Sequence, residues 1–182
     1  MINMRIISGT AKGRKLKTLA GDDVRPTSDK VKEGIFSAIQ FDIEGRRFLD
    51  LFAGSGQMGL EALSRGAESA TFIDSSAESV KILKDNISTL GFDSASKVLR
   101  TDAISYLSLC SDKFDIAFLD PPYAAGILEK ALSLVCDKMS DYGTVICEHP
   151  PEVTLPEDIK GFSVYKKYRY GKINVTTYKK DN

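Results

Sequence analysis

Histidine is nearly missing from this sequence: its 182 residues contain one, His149. A His-based triad, or a metal centre built on imidazole, therefore has almost no material to work with. Cysteine is almost as scarce. Cys110, Cys136 and Cys147 are odd in number, without close spacing and embedded in apolar sequence, so they read as buried thiols and not as a disulfide framework or zinc site. No apolar run approaches the ~20 residues needed to span a bilayer, and the opening Met-Ile-Asn-Met-Arg lacks the apolar stretch of a signal peptide. A cytoplasmic location with no membrane and no metal is expected.

Net charge is absent too, with 25 basic and 25 acidic side chains, but the distribution is uneven. Residues 1–36 hold 8 basic and 4 acidic groups, and residues 160–182 hold 7 and 1. The middle carries the compensating excess of acid. Basic ends offer a polyanion a local landing surface, although solvated termini would look the same.

What is present fits one globular domain: 42% of residues are hydrophobic and 27% charged. Short apolar strands alternate with helical patterns, the signature of a largely parallel α/β sheet covered on both faces. Strands are expected at 47–52, 70–74, 97–100, 115–119 and 144–148. Val80, Leu83, Ile87 and Leu90 recur at helical spacing, as do Leu128, Ala131, Leu132 and Val135. The first of these helices should open on a Ser75-x-x-Glu78 capping box and stop at Gly91. An earlier helix over 29–40 should bury Val31, Ile35, Ala38 and Ile39. At the start, 5–8 and 14–18 flank a glycine-bounded turn and suggest a small hairpin. Near the end, 162–168 and 173–178 flank Tyr170-Gly171-Lys172 and suggest a second.

The strand ending in Asp50 runs into Ala53-Gly54-Ser55-Gly56-Gln57-Met58-Gly59 and then a helix, so three glycines match G-x-G-x-x-G at a cofactor-binding corner. A dinucleotide is the obvious first ligand, which leaves a nicotinamide oxidoreductase as one alternative. Asp50 argues otherwise, because a carboxylate there repels a pyrophosphate but attracts the cationic methionine part of S-adenosylmethionine. Asp74, ending the next strand, is placed to accept from ribose hydroxyls, and Asp102 from the adenine amine. Each acid also has a purely structural use in a turn or helix cap. Their joint place at the carboxyl ends of adjacent strands favours ligand contact.

The fourth strand ends in Asp120-Pro121-Pro122-Tyr123. A nucleobase exocyclic amine is a poor nucleophile because its lone pair is delocalised into the ring. Acceptors aimed at its protons localise that pair, and the Asp120 carboxylate and Pro121 carbonyl fit the task, the latter restricted by the proline that follows. Tyr123 offers a face on which a base can stack. His149 reads as a loop histidine and receives no role.

With these motifs the chain resembles class I S-adenosylmethionine-dependent methyltransferases, specifically bacterial 16S rRNA guanine-N2 methyltransferases of the RsmD type. The resemblance spans nearly the whole chain, including 5–9, 13–16, the segment Arg25-Pro26-Thr27-Ser28-Asp29-Lys30-Val31-Lys32-Glu33, the run 50–67 and 120–123. It implies a Rossmann-like α/β fold: a seven-stranded methyltransferase sheet whose C-terminal hairpin supplies the antiparallel strand, with a small N-terminal hairpin extension. It also implies methyl transfer to the N2 amine of one guanine of 16S rRNA in an assembling small subunit. Asp74 stands where related enzymes often have glutamate. Cofactor contacts are expected from Asp50, Ala53, Gly54, Ser55, Gly56, Asp74, Ser75, Asp102 and Ala103, and catalysis from Asp120, Pro121, Pro122 and Tyr123. Lys12, Arg14, Lys15, Lys17, Arg25, Lys30 and Lys32 are expected to hold phosphates around an extruded base. The expected organisation is one monomeric domain, with 1–26 as an RNA-binding arm and 27–182 as the catalytic core. A DNA adenine-N6 methyltransferase and a non-catalytic RNA-binding assembly factor remain as alternatives.

Overall fold

Near-continuous apolar runs form the central strands of the chain, as a sheet covered on both sides requires. The computed structural model describes residues 3–20, 27–122 and 126–181. In chain order the elements are α1 (Asp29–Ala38), β1 (Arg47–Asp50), α2 (Gln57–Ser64), β2 (Ser69–Asp74), α3 (Ala77–Leu90), β3 (Ser96–Arg100) and α4 (Ala103–Leu109). They continue with β4 (Phe114–Leu119), α5 (Ile127–Cys136), β5 (Met139–His149), β6 (Asp158–Ile159), β7 (Phe162–Tyr170) and β8 (Ile173–Lys180).

The strands form one sheet in the order β3-β2-β1-β4-β5-β8-β7-β6. Pairing is parallel from β3 through β5 and antiparallel from β5 to β8 onward. This is the expected seven-stranded arrangement with a two-residue eighth strand, β6, added at the edge. Strand order reverses between β1 and β4, which opens a crevice at their carboxyl ends where open α/β sheets take ligands.

Alternation of side chains divides the core in two. On one face Phe48, Phe72, Phe118 and Ile146 pack under α1, α2 and α3 together with Met4, Ile6, Ala11 and Leu16 of the N-terminal arm. On the other, Leu49, Ile73, Leu119 and Cys147 pack under α4 and α5. Cys136 and Cys147 are buried thiols as expected, whereas Cys110 is half-buried.

Several local expectations shift. The first strand stops at Asp50, and Leu51 and Phe52 already belong to the turn. α3 is capped one residue later than predicted: the Ser76 hydroxyl, not that of Ser75, accepts from Ser79 N, while Gly91 ends the helix at φ 74°. In α1 Ala38 is exposed, and Phe36 and Lys32 are buried instead. Among the described residues the N-terminal hairpin is reduced to one antiparallel bridge, Arg5 with Lys15, because the turn between them bonds α2.

That arm is held by a buried carboxylate. Glu61 of α2 accepts from Ile7 N (2.9 Å) and Ser8 N (3.0 Å) and pairs with Arg65 Nε at 2.9 Å. Lys32 reaches it at 3.6 Å, both side chains fully buried, and donates to the Arg5 carbonyl at 2.6 Å.

Candidate active site

Three glycines shape the corner after β1 for three reasons. Gly56 is the N-cap of α2 at φ 87°, a left-handed conformation that L side chains rarely adopt, and a Cβ there would sit 2.2 Å from Leu83. At Gly59 a Cβ would strike the Phe72 ring at 2.3 Å, so this glycine sets the close approach of α2 to the sheet. Gly54, at φ 56°, has nothing within 4 Å of a virtual Cβ, which leaves the outer side of the loop open to a ligand.

Acidic groups pin the corner from below. Asp50, 1% exposed, accepts from Gly59 N at 3.0 Å. Asp74 accepts from Gly54 N at 2.8 Å and Ser76 N at 2.9 Å. Burial pushes the Asp50 carboxyl up to about 7, opposed by the Gly59 hydrogen bond and assisted by Asp74. Asp102 follows β3 and caps α4, with hydrogen bonds from Ser105 holding its carboxyl below the usual range; Ala103 begins that helix and is buried. Ala53 donates to Ile73 O and accepts from Gly56 N. The Ser55 side chain turns inward to Met4 of the arm, and its carbonyl accepts from Asn86 Nδ2 at 3.0 Å.

Asp120 lies beyond the end of β4 and is half-buried, followed by buried Pro121 and exposed Pro122. Its carboxyl is pushed well above the ordinary range by burial, then by Glu148 and Asp50. Strand parity places Asp50, Asp74, Asp120 and Glu148 on the face covered by α1 and α2. Tyr123, the expected stacking residue, lies outside the described residues.

The basic set divides. Lys12, Lys15 and Lys30 are exposed. Arg14 donates to Thr89 O at 2.8 Å, and Lys17 pairs with Asp85 at 3.1 Å. The turn carrying Lys12 rests on Ser64, the last residue of α2, so the eight residues of that helix, about 12 Å of rise, separate it from the glycine corner. Lys32 is a correction: full burial against Glu61 removes it from any phosphate, and it serves to fasten the arm. Arg25 lies outside the described residues.

Glu148 escapes the sequence motifs, and Thr27, which lies within one, gains a partner that the motif does not show. Thr27 donates from its hydroxyl to Glu148 Oε2 at 3.1 Å, tying the segment before α1 to the end of β5. His149 next to it is not a loop histidine as expected: it is the last residue of β5, buried, with Nδ1 3.0 Å from Pro150 O and Nε2 2.8 Å from the Thr176 hydroxyl.

Acidic groups along one sheet edge, with an open glycine turn between them, suit a cationic ligand and oppose a pyrophosphate. Comparison with known proteins agrees. The family model described as Conserved hypothetical protein 95 matches residues 4–179. YlbH of Bacillus subtilis (strain 168), provisionally named an rRNA methyltransferase, is 42% identical over 182 residues, 97% of this chain and 99% of that protein. Ribosomal RNA small subunit methyltransferase D of Escherichia coli (strain K12) is 34% identical over 180 residues, 98% of this chain and 90% of that one. The chain belongs to the methyltransferase D family. In solved structures the same family likeness is geometric: the provisionally named methyltransferase yhhF from Escherichia coli superposes with a TM-score of 0.89 at 32% identity, covering 98% of each chain. The Rossmann-like methyltransferase sheet read from the sequence is thus the fold of this family. Among the described residues no helix is long and apolar enough to cross a membrane, and no group of three or more potential ligands gathers to hold a metal.

Proposed function

We propose that this protein transfers a methyl group from S-adenosylmethionine to the exocyclic N2 amine of one guanine in 16S rRNA, acting as a cytoplasmic monomer on an assembling small subunit. The observation that carries the reading is the placement of two acids across the switch point: Asp50, beneath the glycine corner, pairs in register with Phe118 of β4, two residues before Asp120. Bound S-adenosylmethionine supplies an electrophilic methyl on a cationic sulfur.

Asp50 and Asp74 have the charge to hold that cation and the ribose, and each is already fixed by backbone hydrogen bonds. Asp120 accepts one amine proton and the Pro121 carbonyl the other, which localises the nitrogen lone pair toward the methyl. Asp120 would then take the proton that the methylated nitrogen sheds. Hydrogen bonds donated by the amine favour the charged carboxylate and so counter the burial that raises it. Positioning is the main source of rate. Tyr123 completes the site as a stacking surface, and Asp102 meets the adenine amine. Lys12, Lys15 and Lys30, with Arg14, Lys17 and Arg25, hold phosphates around the extruded base.

The test is incubation of labelled cofactor with immature small subunits, free rRNA and duplex DNA, followed by identification of the modified nucleoside. N2-methylguanine in small-subunit RNA is expected, and N6-methyladenine in duplex DNA refutes the reading. Asp120→Ala should keep S-adenosylhomocysteine binding while losing roughly 100-fold to 1000-fold in turnover. A wild-type rate in that variant removes Asp120 from the chemistry.

A further inference from the structure

Glu148 belongs to no motif, yet it is a buried acid beside the reacting edge. Its side chain is 6% exposed. Leu119 pairs with Cys147 in the parallel register of β4 and β5, so Asp120 and Glu148 emerge next to each other at the carboxyl ends of neighbouring strands. Adjacent strands lie about 4.8 Å apart. The charge of Glu148 is felt at Asp120 more strongly than that of Asp50.

The carboxylate is also held in place. Thr27 Oγ1 donates to Oε2 at 3.1 Å. Thr27 is itself clamped: with its amide in the orientation that satisfies both groups, Gln57 at the start of α2 donates to the Thr27 carbonyl (3.3 Å) and accepts from its N–H (2.8 Å). Two elements outside β5 thus cooperate to hold an acid that costs free energy to bury.

We propose that Glu148 is a specificity-determining residue that accepts the ring N1–H of the target guanine while Asp120 accepts from the N2 amine. This rests on the guanine-N2 reading above. Guanine presents two adjacent donors on its pairing edge, N1–H and the N2 amine, and two adjacent carboxylates match that pattern. Adenine presents an unprotonated N1 beside its amine, which would face the Glu148 carboxylate acceptor to acceptor. A site built to accept a donor strongly rejects the analogue lacking it, because its buried polar group is then left without that partner. Glu148 thereby separates guanine-N2 from adenine-N6 chemistry, which Asp-Pro-Pro-Tyr alone serves equally well.

The test uses the S-adenosylhomocysteine-loaded protein with two nucleosides as probes, guanosine and 2-aminopurine riboside. The second keeps the 2-amino group but has no proton on N1. Its missing O6 weakens wild type and variant alike, so the change in preference between them isolates the N1 contact. Wild type should bind guanosine more tightly by roughly tenfold or more, measured by NMR titration and by quenching of 2-aminopurine fluorescence. Glu148→Gln should abolish or invert that preference, because the amide can donate to an unprotonated N1. An unchanged ratio in the variant, or no preference in wild type, overturns the proposal. If Glu148→Gln loses S-adenosylhomocysteine binding, and with it the shape of the site, Thr27→Val decides: releasing Oε2 should narrow the preference, and an unaltered ratio overturns the role. Failure of the guanine-N2 reading is recognised separately, as methyl incorporation into a nucleoside other than guanine.

Discussion

Asp50 should make the ligand-free protein less stable than it could be. Its carboxyl is fully buried, and its displacement from the ordinary value of 3.8 to about 7 reflects that burial more than any other cause. At 1.36 kcal/mol per pH unit the displacement corresponds to about 4 kcal/mol. Since the folded value is raised, the group's contribution to stability is complete below pH ~4 and is lost as pH rises through about 7. Asp50→Asn keeps an oxygen for Gly59 N and removes the titration. The variant should therefore match wild type near pH 4 and exceed it by up to about 4 kcal/mol at pH 8. Urea denaturation of both proteins at pH 5, 6, 7 and 8 measures the difference directly. The same variant should bind S-adenosylmethionine at least roughly tenfold more weakly, because the cation loses its counter-charge. Parallel stability curves for the two proteins across this range would refute the reasoning, as would a variant that gains stability without losing cofactor affinity.

Lys32→Met should cost about 3 kcal/mol by leaving buried Glu61 without one of its two cations, a fall in Tm of roughly 6–12 °C, with the salt dependence of RNA binding unchanged. Lys12→Ala or Lys15→Ala should do the reverse, leaving Tm alone and reducing the salt slope by about 1. Finding the salt effect in Lys32→Met instead would restore it as a phosphate contact. Gly59→Ala should destabilise by about 1–3 kcal/mol, because its methyl meets the Phe72 ring at 2.3 Å and the ring is fully buried; denaturant midpoints equal to wild type would show that α2 can lift from the sheet freely.

The sequence made the parallel strands, the glycine corner and the C-terminal hairpin legible because each depends on neighbours within a few residues: apolar runs, positive-φ glycines, a turn around Gly171. Lys32 was not legible in this way. A lysine in a basic segment looks solvated, and its burial depends on Glu61, which follows 29 positions later on another helix. α2 is buried along its whole length, with no polar stripe to expose, because the arm covers its outer side through Glu61 and Ser64. Glu148 was hidden for the same reason. Its donor, Thr27, lies 121 residues away, so only the folded chain reveals that Thr27 reaches the reacting edge.

The structural and functional uses of the acids at this edge are compatible, and the hydrogen bonds show why. An ionised carboxylate has about four acceptor positions. Asp50 gives one oxygen to Gly59 N, Asp102 gives one to Ser105 N, and Asp74 uses its two oxygens on Gly54 N and Ser76 N. Each bond completes a turn or caps a helix, and each also fixes the direction in which the remaining lone pairs point. Groups that are already ordered lose little freedom when a ligand arrives, and preorganised dipoles need not reorient as charge moves in the reaction. Capping before a ligand binds is therefore the condition for contact once it is bound, and a residue such as Asp74 need not be assigned to one role at the expense of the other.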